Sequence, residues 1–312
     1  MADTEKPATE RDERKPTRFG FVALIGAPNV GKSTLINALV GTKVAIVTHK
    51  VQTTRALIRG IAMEGASQLV FVDTPGIFAP KRRLDRAMVT TAWSGAHDAD
   101  LVCVLLDAER GLDEEAEAIL SKVVEVPHSK VLIVNKVDLV EKPALFAMVQ
   151  AANERVKFAS TFMIAALTGY GVPDVRHWLA ENVPAGPWHY PEDELTDVPL
   201  RSLAAEITRE KLFLRLHQEL PYQSTVETEV WTEQKNGSVR VEQTIFVERE
   251  SQRKIVLGKN GATIKSIGTE SRKELTEIVE KPVHLFLFVK VREHWADDPE
   301  RYREMGLEYP RE

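Results

Sequence analysis

A glycine-rich segment near the start of the chain has the residue types and the spacing that bind phosphate groups. It follows an apolar run over residues 19–25 and precedes a good helix-forming stretch over residues 34–40. The pattern is GxxxxGKS: the glycines let backbone N–H groups approach phosphate oxygens, the lysine adds charge, and the serine hydroxyl can bind Mg²⁺. We therefore predict a phosphate-binding loop whose contacts come from Gly26, Asn29, Val30, Gly31, Lys32, Ser33 and Thr34.

Two more polar motifs follow apolar runs further along the chain. Asp73-Thr74-Pro75-Gly76 comes directly after residues 69–72, where Asp73 can hold Mg²⁺ and the Gly76 N–H can meet a terminal phosphate. Asn135-Lys136-Val137-Asp138 comes directly after residues 131–134. The Asp138 carboxylate can accept both the N1–H and the N2–H₂ of guanine, which adenine does not offer, while Asn135 and Lys136 brace the base site. With the phosphate loop before them, the two motifs predict a GTP site.

The spacing of the apolar runs indicates the elements that must position these motifs. The runs at residues 19–25, 69–72, 101–106, 131–134 and 162–165 alternate with helical stretches. Strands separated by helices are typical of a parallel sheet, so residues 18–182 are predicted to form a three-layer α/β sandwich. Residues 1–17 are charged and lack apolar periodicity, which predicts a disordered arm. Residues 183–198 are rich in proline and form a predicted linker.

A second, smaller α+β domain is predicted over residues 199–296, followed by a tail over residues 297–312. Its order is a helix (199–220), two β-rich runs (224–232 and 238–249), two helical segments and a final strand (283–291). The final strand is almost wholly apolar, so we expect it to lie in the core. Trp295 and Tyr302 are better placed to stack on nucleic-acid bases or to pack on the edge of the domain.

A GXXG sequence between the two helical segments of this domain can bind single-stranded RNA. Gly258 and Gly261 let the backbone approach sugar and phosphate, and the helix that follows favours anions. Lys259, Asn260 and Lys265 complete the predicted RNA site. GXXG is weak evidence by itself, but the flanking apolar helices and a local charge of +5 over residues 253–273 strengthen it. The alternative interpretation is a glycine-rich corner between helices with a solvated basic face.

Composition sets limits on these hypotheses. The chain has 312 residues, 43% of them apolar, and a net charge of −5, as expected of a globular protein with two domains and not of a collagen-like or disordered chain. The charge predicts a local contact with RNA rather than a broad electrostatic one. Cys103, the only cysteine, lies in an apolar run and is predicted to be buried. With no signal peptide and no membrane-spanning run, these features predict a cytoplasmic protein.

Four motifs of the first domain, with the GXXG domain after them, resemble the TRAFAC class of GTPases and, within it, the Era family. The motifs are GAPNVGKST, Val51-Gln52-Thr53-Thr54-Arg55, DTPG and NKVD, and the resemblance runs from about residue 18 to residue 302. It implies an α/β P-loop GTPase domain with a mostly parallel sheet, followed by an α+β type II KH domain. It also implies that residues 51–55 form switch I and residues 73–86 form switch II. Thr54 would then bind Mg²⁺ beside Ser33 and Asp73, and the catalytic residues would be Lys32, Thr54 and Gly76.

Departures from the family pattern change what we expect of the activity. Ile77 follows DTPG where signalling GTPases carry a water-orienting Gln, so intrinsic hydrolysis should be slow, about 10⁻⁴–10⁻² per second. Relatives with Asn at the position of Asn29 often use K⁺ for the missing stabilisation, so K⁺ joins GTP or GDP and Mg²⁺ as a predicted cofactor. The guanine loop begins Ala165-Ala166 where the family usually has Ser first. The Ala166 N–H could still bind guanine O6, with weaker nucleotide affinity.

The resemblance implies a GTP-binding and GTP-hydrolysing factor of ribosome assembly. Its KH domain would bind the 16S ribosomal RNA of the small ribosomal subunit near the single-stranded 3′ end. A monomer in the cytoplasm, part of it at the inner face of the cell membrane, completes the expectation. The alternative is an RNA-binding module whose nucleotide domain has negligible turnover, which Ile77 and Ala165 favour.

Overall fold

The computed structural model of the chain contains two β-sheets, one of six strands and one of three. The structure describes residues 16–50, 53–55, 57–217, 220–293 and 295–310. Most of the predicted arm, residues 1–15, lies outside the described residues, and so do residues 51 and 52 of predicted switch I. The phosphate, guanine and GXXG motifs all lie within the described ranges.

The six-stranded sheet has the strand order β2-β3-β1-β4-β5-β6, in which β2 runs antiparallel to β3 and all other neighbours are parallel. The predicted, mostly parallel sheet is therefore confirmed. In chain order, its strands and helices are β1 (Arg18–Gly26), α1 (Lys32–Val40), β2 (Ile58–Glu64), β3 (Ser67–Asp73), α2 (Arg83–Asp98), β4 (Leu101–Asp107), α3 (Glu114–Val123), β5 (Ser129–Asn135), α4 (Lys142–Arg155), β6 (Ser160–Met163) and α5 (Val172–Asn182).

Alternate residues of these strands face two separate layers of helices. In β1, Val22 and Leu24 lie in a core with α1 and α5, whereas Ala23 and Ile25 lie in a core with α2, α3 and α4. Cys103 of β4 is buried in the first of these cores, as predicted. Because both faces of the sheet are covered, its strands are continuous apolar runs, and the predicted three-layer sandwich is confirmed.

The three-stranded sheet lies in the C-terminal part of the chain and has the order β7-β8-β9. β7 runs antiparallel to β8, and β9 runs parallel to it. Helices cover one face and bury residues such as Leu212, Val256 and Ile267. The predicted α-β-β-α-α-β order is confirmed, with α6 (Leu200–Arg215), β7 (Ser224–Glu233), β8 (Val239–Val247), α7 (Glu250–Leu257), α8 (Ala262–Val279) and β9 (Val283–Val291).

Strand β9 is not wholly in the core, contrary to the expectation from its apolar sequence. Leu285, Leu287 and Val289 pack against the cores under the helices. Phe286 and Phe288 point the other way and are 45% and 46% exposed. Helices cover only one face of this sheet, and successive side chains of a strand alternate between faces, so every second residue of β9 is left at the surface.

The predicted linker over residues 183–198 lies along the first sheet rather than crossing open solvent. Arg59 of β2 forms an ion pair with Asp197, with 2.7 Å between nitrogen and oxygen. The Gln68 side chain of β3 donates to the Tyr190 carbonyl at 2.9 Å. These contacts, together with isolated bridges from β1 and β2 to the linker, set the point at which α6 begins.

Residues 295–310 return to the first domain and pack on α2. They include a short last helix, α9 (Pro299–Glu304). Trp295 and Tyr302, each 1% exposed, form an apolar cluster with Leu84 and Met88 of α2. Both aromatic residues therefore pack at the domain edge, which is one of the two roles predicted for them, and their rings are not presented to bases.

Candidate nucleotide site and nucleic-acid interface

The phosphate loop joins the end of β1 to the start of α1 through two residues with left-handed backbone. Asn29 has φ 63° and Gly31 has φ 100°. A Cβ atom on Gly31 would lie 2.2 Å from Nδ2 of Asn135, so only glycine fits between the two motifs. The same Nδ2 donates to the Val30 carbonyl at 2.8 Å. The structure thus brings the predicted guanine motif directly against the predicted phosphate loop.

Lys32 lies buried beneath this loop and closes it. Its Nζ donates to the carbonyl oxygens of Gly26 at 3.0 Å and Ala27 at 2.9 Å. Burial lowers the pKa of Lys32 to about 8, although the nearby Asp73 carboxylate opposes the effect. The ammonium group is still charged at neutral pH, and phosphate oxygens can replace the two carbonyls as its acceptors.

Three oxygen-bearing side chains meet next to the lysine, as predicted for a Mg²⁺ site. Ser33 Oγ donates to Asp73 Oδ2 at 2.7 Å, and Thr54 Oγ1 lies 3.2 Å from the same oxygen and 3.0 Å from Ser33 Oγ. Among the described residues, the other carboxylate oxygen, the buried Asp73 Oδ1, has no hydrogen-bond partner. Oxygen ligands of this kind suit Mg²⁺, which neutralises phosphate charge when it is bound. Ser33, Thr54 and Asp73 would hold it, directly or through water.

Gly76 and Ile77 link the DTPG motif to the phosphate loop. A Cβ on Gly76 would lie 2.9 Å from the Cα of Pro28, so this position also requires glycine. The Ile77 N–H donates to the Gly26 carbonyl at 3.0 Å, and its side chain is 7% exposed and packed in the core with α2. Ile77 therefore supports the loop and cannot orient a water molecule, and slow intrinsic hydrolysis stays a prediction.

The guanine end of the site is fixed by a residue that the sequence did not reveal. Lys136 has φ 64°, and its Nζ lies 2.5 Å from Oδ2 of Asp107, a carboxylate only 5% exposed. Asp107 ends β4 as Asp73 ends β3, and that shared position was the available signal. Asp138 lies exposed in a short 3₁₀ turn after β5.

Ala166 is adjacent to the guanine motif, but its N–H is not free for the predicted contact with the base. The N–H donates to Asn135 Oδ1 at 3.0 Å. Because Asn135 also donates to the phosphate loop, the guanine loop, the guanine motif and the phosphate loop form one hydrogen-bonded unit. A contact between guanine O6 and the Ala166 N–H would require this bond to be shared.

One cavity of about 560 Å³ unites most of the predicted nucleotide residues. That volume lies in the range of ordinary small-molecule sites. Its wall also includes residues 46–49, Leu139 and Leu167, which the motifs did not indicate, while Gly26, Val30 and Asp73 lie behind the lining. The predicted residues that line it are Asn29, Gly31, Lys32, Ser33, Thr34, Thr54, Gly76, Asn135, Lys136, Asp138 and Ala166.

The GXXG loop lies at the turn between α7 and α8, as predicted. Gly258, Asn260 and Gly261 all have positive φ values of 73°, 53° and 77°. Lys259 and Asn260 are exposed at the tip, and Lys265 is exposed on the first turns of α8. Backbone and cations are therefore both available to a phosphate chain at this corner.

A second cavity, of about 380 Å³, lies next to this loop. One wall comes from α7 and the start of α8 and includes Gln252, Ile255 and Thr263. The other wall comes from the segment that joins α6 to β7 and includes Leu216 and Leu220. The cavity and the GXXG loop form the candidate RNA groove.

Two family models match the chain, one described as a 50S ribosome-binding GTPase over residues 21–136 and one described as a KH domain over residues 219–296. GTPase Era of Bradyrhizobium sp. (strain ORS 278) is 74% identical over 296 residues, which cover 95% of this chain and 96% of that protein. GTPase Era of Brucella suis biovar 1 is 65% identical over 310 residues, covering 99% and 100%.

Solved structures of Era are similar in fold over nearly the same length. One is a crystal structure of Era in complex with MgGDPNP and nucleotides 1506–1542 of 16S ribosomal RNA, with a TM-score of 0.88 and 33% identity over 93% of this chain and 99% of that one. An Aquifex aeolicus Era variant bound to GDP·AlF₄⁻ gives the same TM-score, identity and coverage. Identity of 74% over 95% of the chain is decisive for the assignment: this protein belongs to the GTPase Era family.

Proposed function

We propose that this GTPase binds GTP with Mg²⁺ in the 560 Å³ cavity and binds small-subunit ribosomal RNA near its 3′ end through the GXXG groove. The observation that carries the proposal is that one cavity collects the phosphate loop, the oxygen ligands Ser33 and Thr54 and the guanine motif, with Asp73 hydrogen-bonded behind them. For RNA, the support is the exposed GXXG corner together with the Era relative crystallised with 16S nucleotides. The protein would act in ribosome assembly.

The geometry of Asn29 supports K⁺ as a cofactor. Asn29 Nδ2 donates to the carbonyl of His49, a residue of the cavity wall, at 2.9 Å. Turning the Asn29 amide by 180° would place its oxygen beside that carbonyl, and two such oxygens can bind a monovalent cation. Since Ile77 cannot orient water, a cation here would add positive charge to that of Lys32.

Multiple-turnover GTP hydrolysis tests the enzymatic proposal. We expect slow turnover in Na⁺, faster turnover in K⁺, and a further increase with small ribosomal subunits. Equal rates in Na⁺ and K⁺ would contradict the role of Asn29. Absence of turnover under all of these conditions would favour the alternative, an RNA-binding module whose nucleotide domain has negligible GTP turnover. The meeting of Lys32, Ser33, Thr54 and Asp73 in one cluster argues against that alternative.

Charge reversal at the GXXG corner tests the RNA site. Lys259→Asp combined with Asn260→Asp should abolish binding to a single-stranded RNA from the 3′ end of the small-subunit rRNA, because both side chains lie at the exposed tip. Lys281→Asp is the control, since Lys281 is exposed after the opposite end of α8. RNA binding that survives the double substitution would place the site elsewhere on the protein.

Location and oligomeric state stay predictions. No helix in the described ranges is both long and apolar enough to cross a bilayer. The predicted monomer in the cytoplasm, with part of the population at the inner face of the membrane, is tested by cell fractionation and by the molar mass in solution.

A further inference from the structure

The side chain of Arg55 leaves switch I and enters the KH domain. Its NH1 donates to the Ser224 carbonyl at 2.8 Å, and its NH2 lies 3.1 Å and 3.2 Å from the carbonyls of Pro221 and Tyr222. The residue is 3% exposed. A planar guanidinium with several donors suits a cage of carbonyl oxygens, and removing one partner of a buried charge is costly.

Aromatic rings complete the cage around Arg55. The guanidinium carbon lies 5.4 Å from the ring centre of Phe213 in α6 and 5.7 Å from that of Trp295. Trp295 in turn donates its indole N–H to the Gln223 carbonyl at 3.1 Å. Arg55 is therefore held by α6, by the segment that follows it and by the C-terminal residues that pack on α2.

Further contacts from α6 reach Thr53 of switch I and two residues that precede switch I, Val47 and Lys50. Arg209 NH2 donates to the Thr53 carbonyl at 2.5 Å, and Glu210 accepts from the Val47 N–H at 2.8 Å. Lys50 Nζ donates to backbone carbonyls at the C-terminal end of α6. The Thr53 carbonyl before Thr54 and the Arg55 side chain after it are thus held from the KH domain. The Thr54 hydroxyl itself lies in the oxygen cluster beside Ser33 and Asp73.

We propose that Arg55 is a positioning residue that makes the placement of Thr54 at the nucleotide depend on docking of the KH domain. The inference rests on the proposed binding of GTP with Mg²⁺ at the oxygen cluster. Contacts of the γ-phosphate and its Mg²⁺ hold switch I in GTPases, and GDP lacks that phosphate, so the placement of Thr54 should matter more for GTP than for GDP. Arg55 therefore sets the preference for GTP over GDP.

The carbonyl cage lies in the chain segment that also supplies one wall of the RNA groove. Leu216, Leu220 and Gln223 line the 380 Å³ cavity next to the GXXG loop, and the cage carbonyls come from the same segment. An RNA chain in the groove and the guanidinium of Arg55 would thus contact neighbouring residues of one segment. If RNA binding moves this segment, the position of Thr54 changes with it and so does the affinity for GTP. By thermodynamic linkage, GTP then changes the affinity for RNA by the same factor.

Equilibrium binding of GDP and of the non-hydrolysable analogue GDPNP to the full chain tests the proposal. In Arg55→Ala we expect GDP affinity within about twofold of the unsubstituted protein and GDPNP affinity lower by about tenfold, the usual scale of such coupling. Arg55→Lys keeps the charge, but its single nitrogen cannot reach all the carbonyls. Its loss of GDPNP affinity should therefore be smaller than that of Arg55→Ala. Arg59→Ala is the matched control, because Arg59 is exposed on β2 and pairs with Asp197 of the linker.

An unchanged ratio of GDPNP to GDP affinity in a folded Arg55→Ala protein would overturn the proposal. If Arg55 had only a structural role, its loss would weaken the binding of both nucleotides equally. The ratio would then be unchanged, which would also contradict the proposal. If Arg55→Ala does not fold, Arg55→Lys decides by the same ratio. Failure of the unsubstituted protein to bind either nucleotide would refute the proposed function instead, and the two failures are therefore distinguishable.

Discussion

Two carboxylates lie at the base end of the nucleotide cavity and differ in their exposure. Asp138 is exposed to the cavity, where it can read the edge of guanine, whereas Asp107 is buried and pins Lys136. Asp107 Oδ1 also accepts from the Glu109 N–H at 3.0 Å, so the carboxylate is held at both oxygens. We therefore expect Asp138 to select the base and Asp107 to hold the lysine that is predicted to brace the base site.

Asparagine substitutions separate these roles. Asp138→Asn should move the preference from guanine toward xanthine nucleotides, because the amide donates where the carboxylate accepted. Asp107→Asn should lower the affinity for guanine and xanthine nucleotides alike by about tenfold, since a hydrogen bond to a charged group contributes about 1.5–3 kcal/mol. Competition between labelled GDP and XDP measures both. Unchanged GTP affinity in Asp138→Asn would refute its assignment.

Cys103 gives a probe of global unfolding. Burial raises the pKa of its thiol to about 12, so the folded protein should not react with a thiol reagent at pH 8, and denaturant should release one reactive thiol. Because the pKa is higher in the folded state, the thiol favours folding below about pH 9, and that contribution is lost as the pH rises toward 12. Rapid labelling of the native protein would contradict the buried position.

Residues within contiguous motifs could be found from the sequence, but residues that act across the fold could not. Lys32, Asp73 and Asp138 each belong to a motif whose spacing has a chemical meaning. Asp107 acts on a lysine 29 positions away, and Arg55 acts on a carbonyl 169 positions away. Only the tertiary structure brings such partners together. The position of Asp107 at the end of a strand could mark it as a candidate, but it does not identify Lys136 as its partner.

At the scale of elements, the two glycines of the GXXG loop are constrained differently. Gly258 has φ 73° and ψ 174°, and a Cβ there would lie 2.2 Å from the Thr263 hydroxyl oxygen. Gly261 has φ 77°, and a Cβ there would meet no atom of the described residues within 4 Å. At Gly258, both the backbone conformation and the lack of room for a side chain require glycine. At Gly261, only the backbone conformation does.

Alanine substitutions should reflect this difference. Gly261→Ala should cost about 1 kcal/mol, the strain of a left-handed residue. Gly258→Ala should cost about 3 kcal/mol, since its backbone region is nearly restricted to glycine and the methyl group also collides with Thr263. Thermal unfolding of the two variants measures the difference, and RNA affinity should fall more for Gly258→Ala. Equal changes in melting temperature would contradict the geometry.

The elements themselves were predictable to the extent that their burial is regular. β3 and β4 of the first sheet are buried on both faces, so their apolar runs indicated them directly. β9 has a similar apolar sequence, yet Phe286 and Phe288 lie at the surface because helices cover only one face of its sheet. Composition indicates the strand but not how many of its faces are covered.

At the scale of the whole molecule, charge is distributed so that RNA contact should be local. The chain has a net charge of −5, while residues 253–273 carry +5. A groove that holds about four nucleotides neutralises two or three phosphates, so log K should fall against log salt concentration with a slope of about −2. Titration of a short single-stranded RNA at several KCl concentrations measures it. A slope of about −6 or steeper would show a broad electrostatic surface instead.

The packing of residues 295–310 on α2 has a consequence for the order in which the protein is made. Leu307 completes the apolar cluster with Leu84, and Arg83 contacts Tyr309, 226 positions later in the chain. During translation the first domain can fold long before these partners leave the ribosome. Until they do, the apolar side of α2 has no cover from this cluster, so a chain arrested before residue 295 should expose α2 to proteases and chaperones. The cluster therefore forms only after residues 295–310 have been synthesised.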